Sequence, residues 1–212
     1  MSERPGAASW VPAGGSLDDL RSAAQGCRGC ELYQDATQAV VGEGPVDATL
    51  MMLGEQPGDK EDLAGEPFVG PAGKLLDRAL EEAGIDPASV FRTNVVKHFR
   101  FAGTRGKQRI HKSPSRVHVA ACGPWLVAEL ALVRPRGVVV LGGTAGKALF
   151  GSSFRVGETR GKLVDWPAAF PVDDPPDWVL PTTHPSAVLR SRQREDDRAA
   201  FVADLKVAAA SL

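Results

Sequence analysis

The stretch Thr49-Leu-Met-Met-Leu-Gly-Glu-Gln-Pro-Gly-Asp59 predicts a buried strand followed at once by a polar turn. Continuous apolar runs of this length are typical of strands that are buried on both faces, as in a parallel sheet. Open parallel sheets bind ligands beyond the carboxyl ends of their strands, so we expect Glu55 and Gln56 to line a ligand site. For the turn taken alone, a polar strand-to-helix connection without chemistry is the alternative.

Similar apolar segments recur along the chain and alternate with segments of helical periodicity. The predicted strands are 48–54, 90–96, 137–142 and 178–183, and the predicted helices are 17–25, 71–84, 114–133, 144–150 and 195–212. Residues 99–113 and 166–177 are predicted to be loops. Because strands that alternate with helices form parallel sheets covered on both faces, we expect an α/β fold. The expected architecture is a three-layer α/β/α sandwich with a central four-stranded parallel sheet.

The composition is that of a soluble globular protein, with 43% hydrophobic and 24% charged residues in 212. No apolar run approaches the ~20 residues that cross a bilayer, so we expect no membrane association. Residues 1–15 have no apolar core of a signal peptide and are predicted to form a flexible tail, with a single domain at 16–212. Three cysteines do not make a disulfide framework, and we expect a cytoplasmic monomer.

A basic segment spans residues 87–128, where aspartate and glutamate are absent. Its eight basic residues are Arg92, Lys97, Arg100, Arg105, Lys107, Arg109, Lys112 and Arg116. Because the net charge of the chain is only −1, this segment forms a local anion-binding field in a near-neutral protein. A solvated surface is the alternative interpretation, but the pattern favours a polyanion such as nucleic acid.

The cysteines indicate a candidate metal centre. Cys27 and Cys30 have the spacing that lets two thiolates bind one metal or cluster, and Cys122 is the third cysteine. A four-ligand site needs one more residue, for which the candidates are His98, His111, His118 or a carboxylate. A zinc site and an iron–sulfur cluster both fit this count, and unliganded thiols are the third possibility.

Two further strand ends carry polar residues. Asn94 lies near the end of the second predicted strand, and His184 directly follows the last one. A carboxylate, an amide and an imidazole at the same edge of a sheet predict a shared pocket. The paired donor and acceptor of an amide can bind a base or carbonyl edge. A structural histidine is the alternative for His184 alone.

His111 ends the sequence Lys107-Gln-Arg-Ile-His111 within the basic segment. It is either one more phosphate contact or a nucleophile. Neutral imidazole attacks an electron-poor carbon when a neighbouring group holds its tautomer.

Together these motifs resemble the uracil-DNA glycosylase superfamily, and the similarity covers about residues 27–189. It is closest to the iron–sulfur family-four enzymes and their self-crosslinking UdgX class. The matching motifs are Gly54-Glu-Gln-Pro-Gly58, Glu66-Pro-Phe-Val-Gly-Pro-Ala-Gly73, Asn94-Val-Val-Lys97 and His184-Pro-Ser186. Any one of them alone is weak, but their combination is specific.

The UdgX class is marked by a glutamine in the first motif and by an inserted basic loop that ends in histidine. Gln56 and His111 match these features, but Gln108 stands where that loop usually has arginine. Family-four enzymes have cysteine after the motif lysine, and His98 stands there in this chain. The resemblance therefore implies a four-iron–four-sulfur cluster. Its ligands would be Cys27, Cys30, His98 and Cys122, and the choice of this cluster over zinc rests on the resemblance alone.

The resemblance implies uracil-containing DNA, in single-stranded form, as the substrate and uracil as a product. The family extrudes the deoxyuridine into its pocket. Phe68 would stack on uracil, Asn94 would bond its Watson–Crick edge, and His184 would stabilise charge growing on O2. Gly54 and Lys97 lie in the base-binding motifs, and Ser186 in a segment that contacts the DNA backbone with residues 189–190.

For the sugar, the resemblance implies that His111 attacks C1′ after uracil leaves, so that the abasic sugar becomes covalently attached to the protein. Glu55 would offset the positive charge on the sugar and could accept a proton, and Gln56 would orient His111. Asp59 and Arg109 would hold the loop. A conventional family-four glycosylase, in which water attacks C1′, is the alternative.

Two other classes of function are weaker. A non-catalytic nucleic-acid-binding module would account for the basic segment and the cysteines but not for the polar strand ends. A Rossmann-type nucleotide-binding domain would use Gly142-Gly-Thr-Ala-Gly146, but the third glycine of that fingerprint and the following acidic residue are missing. We expect these glycines to allow close packing of strand and helix.

Overall fold

A four-stranded parallel sheet forms the centre of the protein, which a computed structural model describes over residues 5–212. The strands are β1 (Leu50–Gly54), β2 (Phe91–Asn94), β3 (Phe101–Arg105), β4 (Gln108–His111), β5 (Gly137–Leu141) and β6 (Trp178–Thr182). The helices are α1 (Leu17–Gln25), α2 (Asp59–Ala64), α3 (Pro71–Glu82), α4 (Arg116–Val133), α5 (Gly143–Phe150), α6 (Val156–Thr159), α7 (Pro185–Arg190) and α8 (Arg194–Ala209). The central sheet has the order β2-β1-β5-β6, and its neighbouring strands are parallel.

Helices cover both faces of the sheet, which confirms the predicted α/β/α sandwich. Met51 and Leu53 of β1 pack in one core with α1, α4 and α5, while Leu50 and Met52 pack in a second core with α3, α7 and α8. Successive side chains of a strand point to opposite faces, so a strand between two helical layers must be apolar throughout. This explains why β1 is a continuous apolar run. Each such buried side chain contributes about 1.5–3 kcal/mol to folding.

The predicted loop at residues 99–113 contains two strands. Residues 101–111 form an antiparallel hairpin, β3–β4, that is a two-stranded sheet separate from the central one. Gly106 lies in its turn with φ +61°, a conformation in which glycine carries no steric penalty. The alternation needed to predict these strands is absent, because both are largely exposed.

Helix α4 begins later than predicted. Its cap is Ser115, which lies inside the predicted range 114–133, and the Ser115 backbone N–H donates to Nδ1 of His118 at 3.0 Å. By length and composition α4 could cross a membrane, but Trp125, Leu126 and Leu130 pack in the first core. It is therefore the central helix of one layer in this fold.

The N-terminal segment also departs from the predicted flexible tail of residues 1–15. Residues 1–4 lie outside the described part of the chain. The Gly6 N–H donates to the Gly29 carbonyl at 3.1 Å, the Ala7 N–H donates to the Ala121 carbonyl at 2.7 Å, and Ala7 is 1% exposed. Small residues let this part of the tail lie against the cysteine-bearing segment, since a Cβ at Gly29 would lie 2.7 Å from the carbonyl carbon of Gly6.

Candidate active site

Three strand ends meet at one cavity of about 690 Å³. Glu55 follows β1, Asn94 ends β2 and His184 follows β6, so the parallel strands deliver all three to the same edge, as predicted. The cavity is lined by most of the predicted site residues, namely Glu55, Gln56, Asp59, Phe68, Asn94, Arg109, His111, His184 and Ser186.

The floor of the cavity requires a glycine at position 54. Gly54 pairs with Asn94 across the sheet, and a Cβ there would lie 2.3 Å from Asn94 Oδ1 and 2.8 Å from Phe68 Cζ. Phe68 itself has φ +60°, which is unusual for a bulky residue and is found where surrounding structure enforces it. Gly73 permits this conformation, because a Cβ there would overlap the Phe68 carbonyl. These contacts fix an amide and an aromatic ring at one end of the cavity.

His184 is held in a defined tautomer. It caps α7, and its Nδ1 accepts a hydrogen bond from the Ser186 backbone N–H at 3.1 Å. Desolvation by burial, together with the neighbouring His111 and Arg190, lowers the pKa of His184 to about 4. The imidazole is therefore neutral at physiological pH and carries its proton on Nε2, where it can donate to an oxygen.

Close packing of His184 also explains Gly142. This residue has φ +89°, and a Cβ there would lie 2.8 Å from His184 Cβ. At Gly146 a Cβ would meet the Phe154 ring at 2.0 Å. Gly142 and Gly146 thus allow close packing, but against the His184 side chain and the Phe154 ring and not between strand and helix as expected, and a Cβ at Gly143 would meet nothing within 4 Å.

Gln56 fastens the β3–β4 hairpin to the sheet. Its Nε2 donates to the carbonyls of Arg100 at 3.0 Å and Lys112 at 3.2 Å, and its Oε1 accepts the Arg100 N–H at 3.1 Å. We predicted that Gln56 orients His111. The hydrogen bonds are made instead to the backbone at both ends of the hairpin, one residue beyond His111 on its strand, so any orienting effect acts through the backbone.

Arg109 holds the hairpin from its middle. Its Nε lies 2.5 Å from Asp59 Oδ1 and its Nη1 lies 2.8 Å from Asp62 Oδ2. The guanidinium also lies 5.2 Å from the ring centroids of Phe99 and Phe101. Hydrogen bonds and the charges of the two carboxylates raise the pKa of Arg109 above its already high value, although burial opposes them. Charge pairing and cation–π contact therefore both fix this strand.

Asp62 is a site residue that the sequence analysis missed. Its side chain is fully buried, and its two oxygens also accept the backbone N–H of Thr37 at 3.0 and 3.1 Å. The available signal was its spacing of three from Asp59, which places both carboxylates on one side of a helix. Because no helix was predicted at 59–64, the spacing did not indicate that the two carboxylates lie on the same side.

His111 lies at the edge of the cavity, opposite Glu55. Its side chain is 48% exposed, and its Nε2 lies 3.5 Å from Glu55 Oε1. This carboxylate oxygen is buried and makes no hydrogen bond within residues 5–212. Buried polar atoms are almost always paired, so an unpaired carboxylate oxygen beside a cavity is suited to a positive charge in a bound substrate.

The candidate metal ligands lie in a buried region beside the sheet. Burial raises the pKa of Cys122 to about 12, although the charge of Lys97 and its backbone N–H oppose the shift. Burial lowers the pKa of His98 to about 4, which leaves a neutral imidazole. Cys122 Sγ accepts the Lys97 backbone N–H at 3.2 Å. Buried thiols, an N–H group directed at sulfur and a neutral imidazole fit a cationic metal centre.

A single ion and a cluster are the two alternatives for these donors. Over residues 5–212, no three histidine, cysteine or acidic side chains lie at the spacing that would hold one metal ion. The ligands of an iron–sulfur cluster bind different irons of that cluster. The choice of a cluster over zinc therefore rests on the resemblance.

Lys97 is not at the cavity, which corrects its prediction as a substrate-binding residue. The side chain is 1% exposed and points into the protein, where its Nζ lies 2.7 Å from Glu129 Oε2. Arg92 likewise pairs with Asp77 at 2.6 Å. The exposed cations of the basic segment are Arg105, Lys107, Lys112 and Arg116. The surface available to a polyanion is thus smaller than the sequence indicated.

Comparison with known proteins agrees with the motifs and the geometry. A model of the uracil DNA glycosylase superfamily matches residues 41–206. The type-4 uracil-DNA glycosylase of Thermotoga maritima is 36% identical over 170 residues, which are 80% of this chain and 81% of that protein. The type-4 uracil-DNA glycosylase of Archaeoglobus fulgidus is 34% identical over 194 residues, which are 88% of this chain and 90% of that protein. The chain belongs to the uracil-DNA glycosylase superfamily.

Proposed function

We propose that this protein removes uracil from DNA and becomes covalently linked through His111 to C1′ of the abasic sugar. The similarity to type-4 uracil-DNA glycosylases supports the excision step. The observation that carries the covalent step is the position of His111, whose Nε2 lies 3.5 Å from Glu55 Oε1 on a hairpin held by Gln56 and Arg109.

Base recognition uses the floor of the cavity. Phe68 stacks on the extruded uracil, and the Asn94 amide pairs with its Watson–Crick edge. As the glycosidic bond breaks, its electron pair stays with the base, and negative charge grows on uracil O2. The neutral His184, whose proton is on Nε2, donates a hydrogen bond to that oxygen. No proton transfer is needed at this stage.

The second step of the reaction takes place at C1′ of the sugar. Loss of uracil leaves an oxocarbenium-like C1′, and the unpaired Glu55 oxygen stabilises this positive charge. One nitrogen of His111 then forms a bond to C1′ with its lone pair, and the ring loses its other proton through Glu55 or solvent. The uracil anion takes up one proton on release, so the exchange balances without water.

A conventional glycosylase is the second candidate, and the relatives favour it. In that mechanism water attacks C1′ while Glu55 accepts its proton, and the half-exposed His111 contacts a phosphate. Excision of uracil is common to both mechanisms. They differ in whether the sugar ends as a free abasic site or as an adduct.

The buried donors Cys27, Cys30, His98 and Cys122 would hold a four-iron–four-sulfur cluster. Such a cluster would supply a structural cross-link between the N-terminal segment, the end of β2 and α4. Trp125 Nε1, which donates to Cys27 Sγ at 3.4 Å, would support it. Single-stranded DNA is the proposed substrate form, because the exposed cations surround the hairpin beside the cavity.

One experiment separates the two candidates. The protein is incubated with a uracil-containing single-stranded oligonucleotide, boiled in denaturant, and examined by gel and by mass spectrometry. We expect a denaturation-resistant adduct of protein and abasic DNA attached at His111, and its loss in His111→Ser. A thymine oligonucleotide serves as the control. Free uracil with no adduct would support the conventional glycosylase, and no uracil at all would contradict both.

A further inference from the structure

A buried ion pair lies directly behind the base-binding amide. Lys97 is 1% exposed and Glu129 is fully buried. The three protons of the ammonium group match three acceptors, each at 2.7 Å: Glu129 Oε2, Thr93 Oγ1 and the backbone carbonyl of Asn94. A lysine has three donors, so its hydrogen-bonding capacity is fully used.

The carboxylate is satisfied as completely as the ammonium. Thr93 Oγ1 donates to Glu129 Oε2 at 2.7 Å, and the Gly42 backbone N–H donates to Glu129 Oε1 at 2.8 Å. Glu129 thereby joins α4 to β2 and to the strand-like segment at residues 40–43. Glu129 is a charged residue in the otherwise apolar second half of α4, which is the sequence signal for such a partner.

This network converges on the position of one backbone group. Asn94 is the last residue of β2, and its side chain lines the cavity while its carbonyl faces Lys97. On the other side, the Lys97 backbone N–H donates to Cys122 Sγ. Lys97 therefore contacts both Asn94 and a candidate cluster ligand, although it does not line the cavity.

We propose that Lys97 and Glu129 are positioning residues for uracil excision: the buried pair fixes the Asn94 backbone, and so sets the direction in which its amide meets the base. The inference rests on the proposed function. Burial of an ion pair is generally no more stabilising than apolar packing. Its value here lies in geometry, since an apolar pair of the same size has no donor for the Asn94 carbonyl.

Single substitutions do not test this inference, because each leaves an unpaired buried charge and destabilises the fold. The test is the double variant Lys97→Met with Glu129→Gln, which has no net charge at this position and keeps an acceptor for the Gly42 N–H. Leu205→Ala in α8 is the matched control, since it opens a cavity in the second core away from Asn94. Thermal midpoint and iron content are measured for each protein.

Single-turnover uracil release is then measured at saturating single-stranded DNA. We expect the double variant to fold with wild-type iron content but to release uracil about 10- to 100-fold more slowly, as small misplacements of a binding group do. Leu205→Ala, at a comparable or lower thermal midpoint, should retain the wild-type rate. Binding to thymine-containing DNA should be unchanged in both variants.

The decisive measurement is the effect of Asn94→Ala in each background. If the pair acts through Asn94, this substitution should slow wild type strongly and the double variant much less, since coupled residues are non-additive. Equal effects in the two backgrounds, or a wild-type rate in the double variant, would overturn the inference. An inactive wild type would instead contradict the proposed function, so the two failures are distinguishable.

Discussion

Arg109→Ala should uncouple uracil release from adduct formation. The substitution removes the ion pairs with Asp59 and Asp62 that hold the middle of the β3–β4 hairpin. It leaves Asp62 fully buried, with the backbone N–H of Thr37 as its remaining donor. Phe68, Asn94 and His184 lie on the sheet side of the cavity and are not touched by the change. Recognition of the base should therefore persist while His111 loses its fixed position.

The size of the effect follows from the buried carboxylate. Removing one partner of a buried ion pair costs about 3–5 kcal/mol. The Arg109 side chain is 16% exposed, so a value near the lower end, about 3 kcal/mol, applies. Because each 1.4 kcal/mol or so is a factor of ten, the ratio of held to released hairpin falls by about 100-fold. Gln56 still holds both ends of the hairpin, so adduct formation should slow by between about tenfold and 100-fold.

The assay follows both products in the same sample. Released uracil is measured by chromatography and the adduct by denaturing gel under single-turnover conditions. Arg105→Ala is the matched control, because it removes the same charge from an exposed position on the same hairpin. It should weaken DNA binding at low salt without changing the ratio of adduct to uracil. Equal losses of adduct and uracil in Arg109→Ala, or no loss of adduct, would refute this reasoning.

Three further changes test other parts of the site. Gly54→Ala should slow uracil release at least about 100-fold, since its Cβ would lie 2.3 Å from Asn94 Oδ1. DNA binding, measured by fluorescence anisotropy, should be unchanged. Because burial lowers the pKa of His184 to about 4, the excision rate should show no inflection between pH 5 and 8. An inflection near pH 6.5 that disappears in His184→Asn would contradict this prediction. The unfolded imidazole titrates near 6.5, so the free energy of unfolding from denaturant titrations should fall between about pH 6.5 and 4, and less steeply in His184→Asn. Cys122→Ser should lose iron and lower the thermal midpoint in calorimetry, and unchanged iron content would refute its assignment as a ligand.

The strand ends were predictable because their signals are local. An apolar run that stops at a polar residue is visible in the sequence, and parallel topology brings Glu55, Asn94 and His184 to one edge. The α/β/α architecture followed from the alternation of strands and helices, and element ends differed by only one or two residues at most positions.

The direction of a charged side chain was not predictable. Lys97 belongs to a motif whose asparagine lines the cavity, yet its side chain faces α4. Its partner there, Glu129, lies 32 positions away in the sequence, so no local pattern indicates the pair. The Asp62–Arg109 pair likewise joins segments that only the tertiary fold brings together. Exposed strands without alternation, as in the hairpin, carry no periodic signal either. Sequence patterns indicate apolar burial and periodicity, but they do not indicate which charged residues of distant segments become partners.

The two-stranded sheet bears on how such a protein can change over time. The two ends of the hairpin lie next to each other, because the Lys112 N–H donates to the Arg100 carbonyl at 3.0 Å. Its strands form no hydrogen-bonded ladder with the four parallel strands. Lengthening or shortening such an excursion alters the closure entropy by only about 0.6 kcal/mol per doubling. The length of the ribbon that carries His111 can therefore change by insertion or deletion at its turn while the central sheet stays intact.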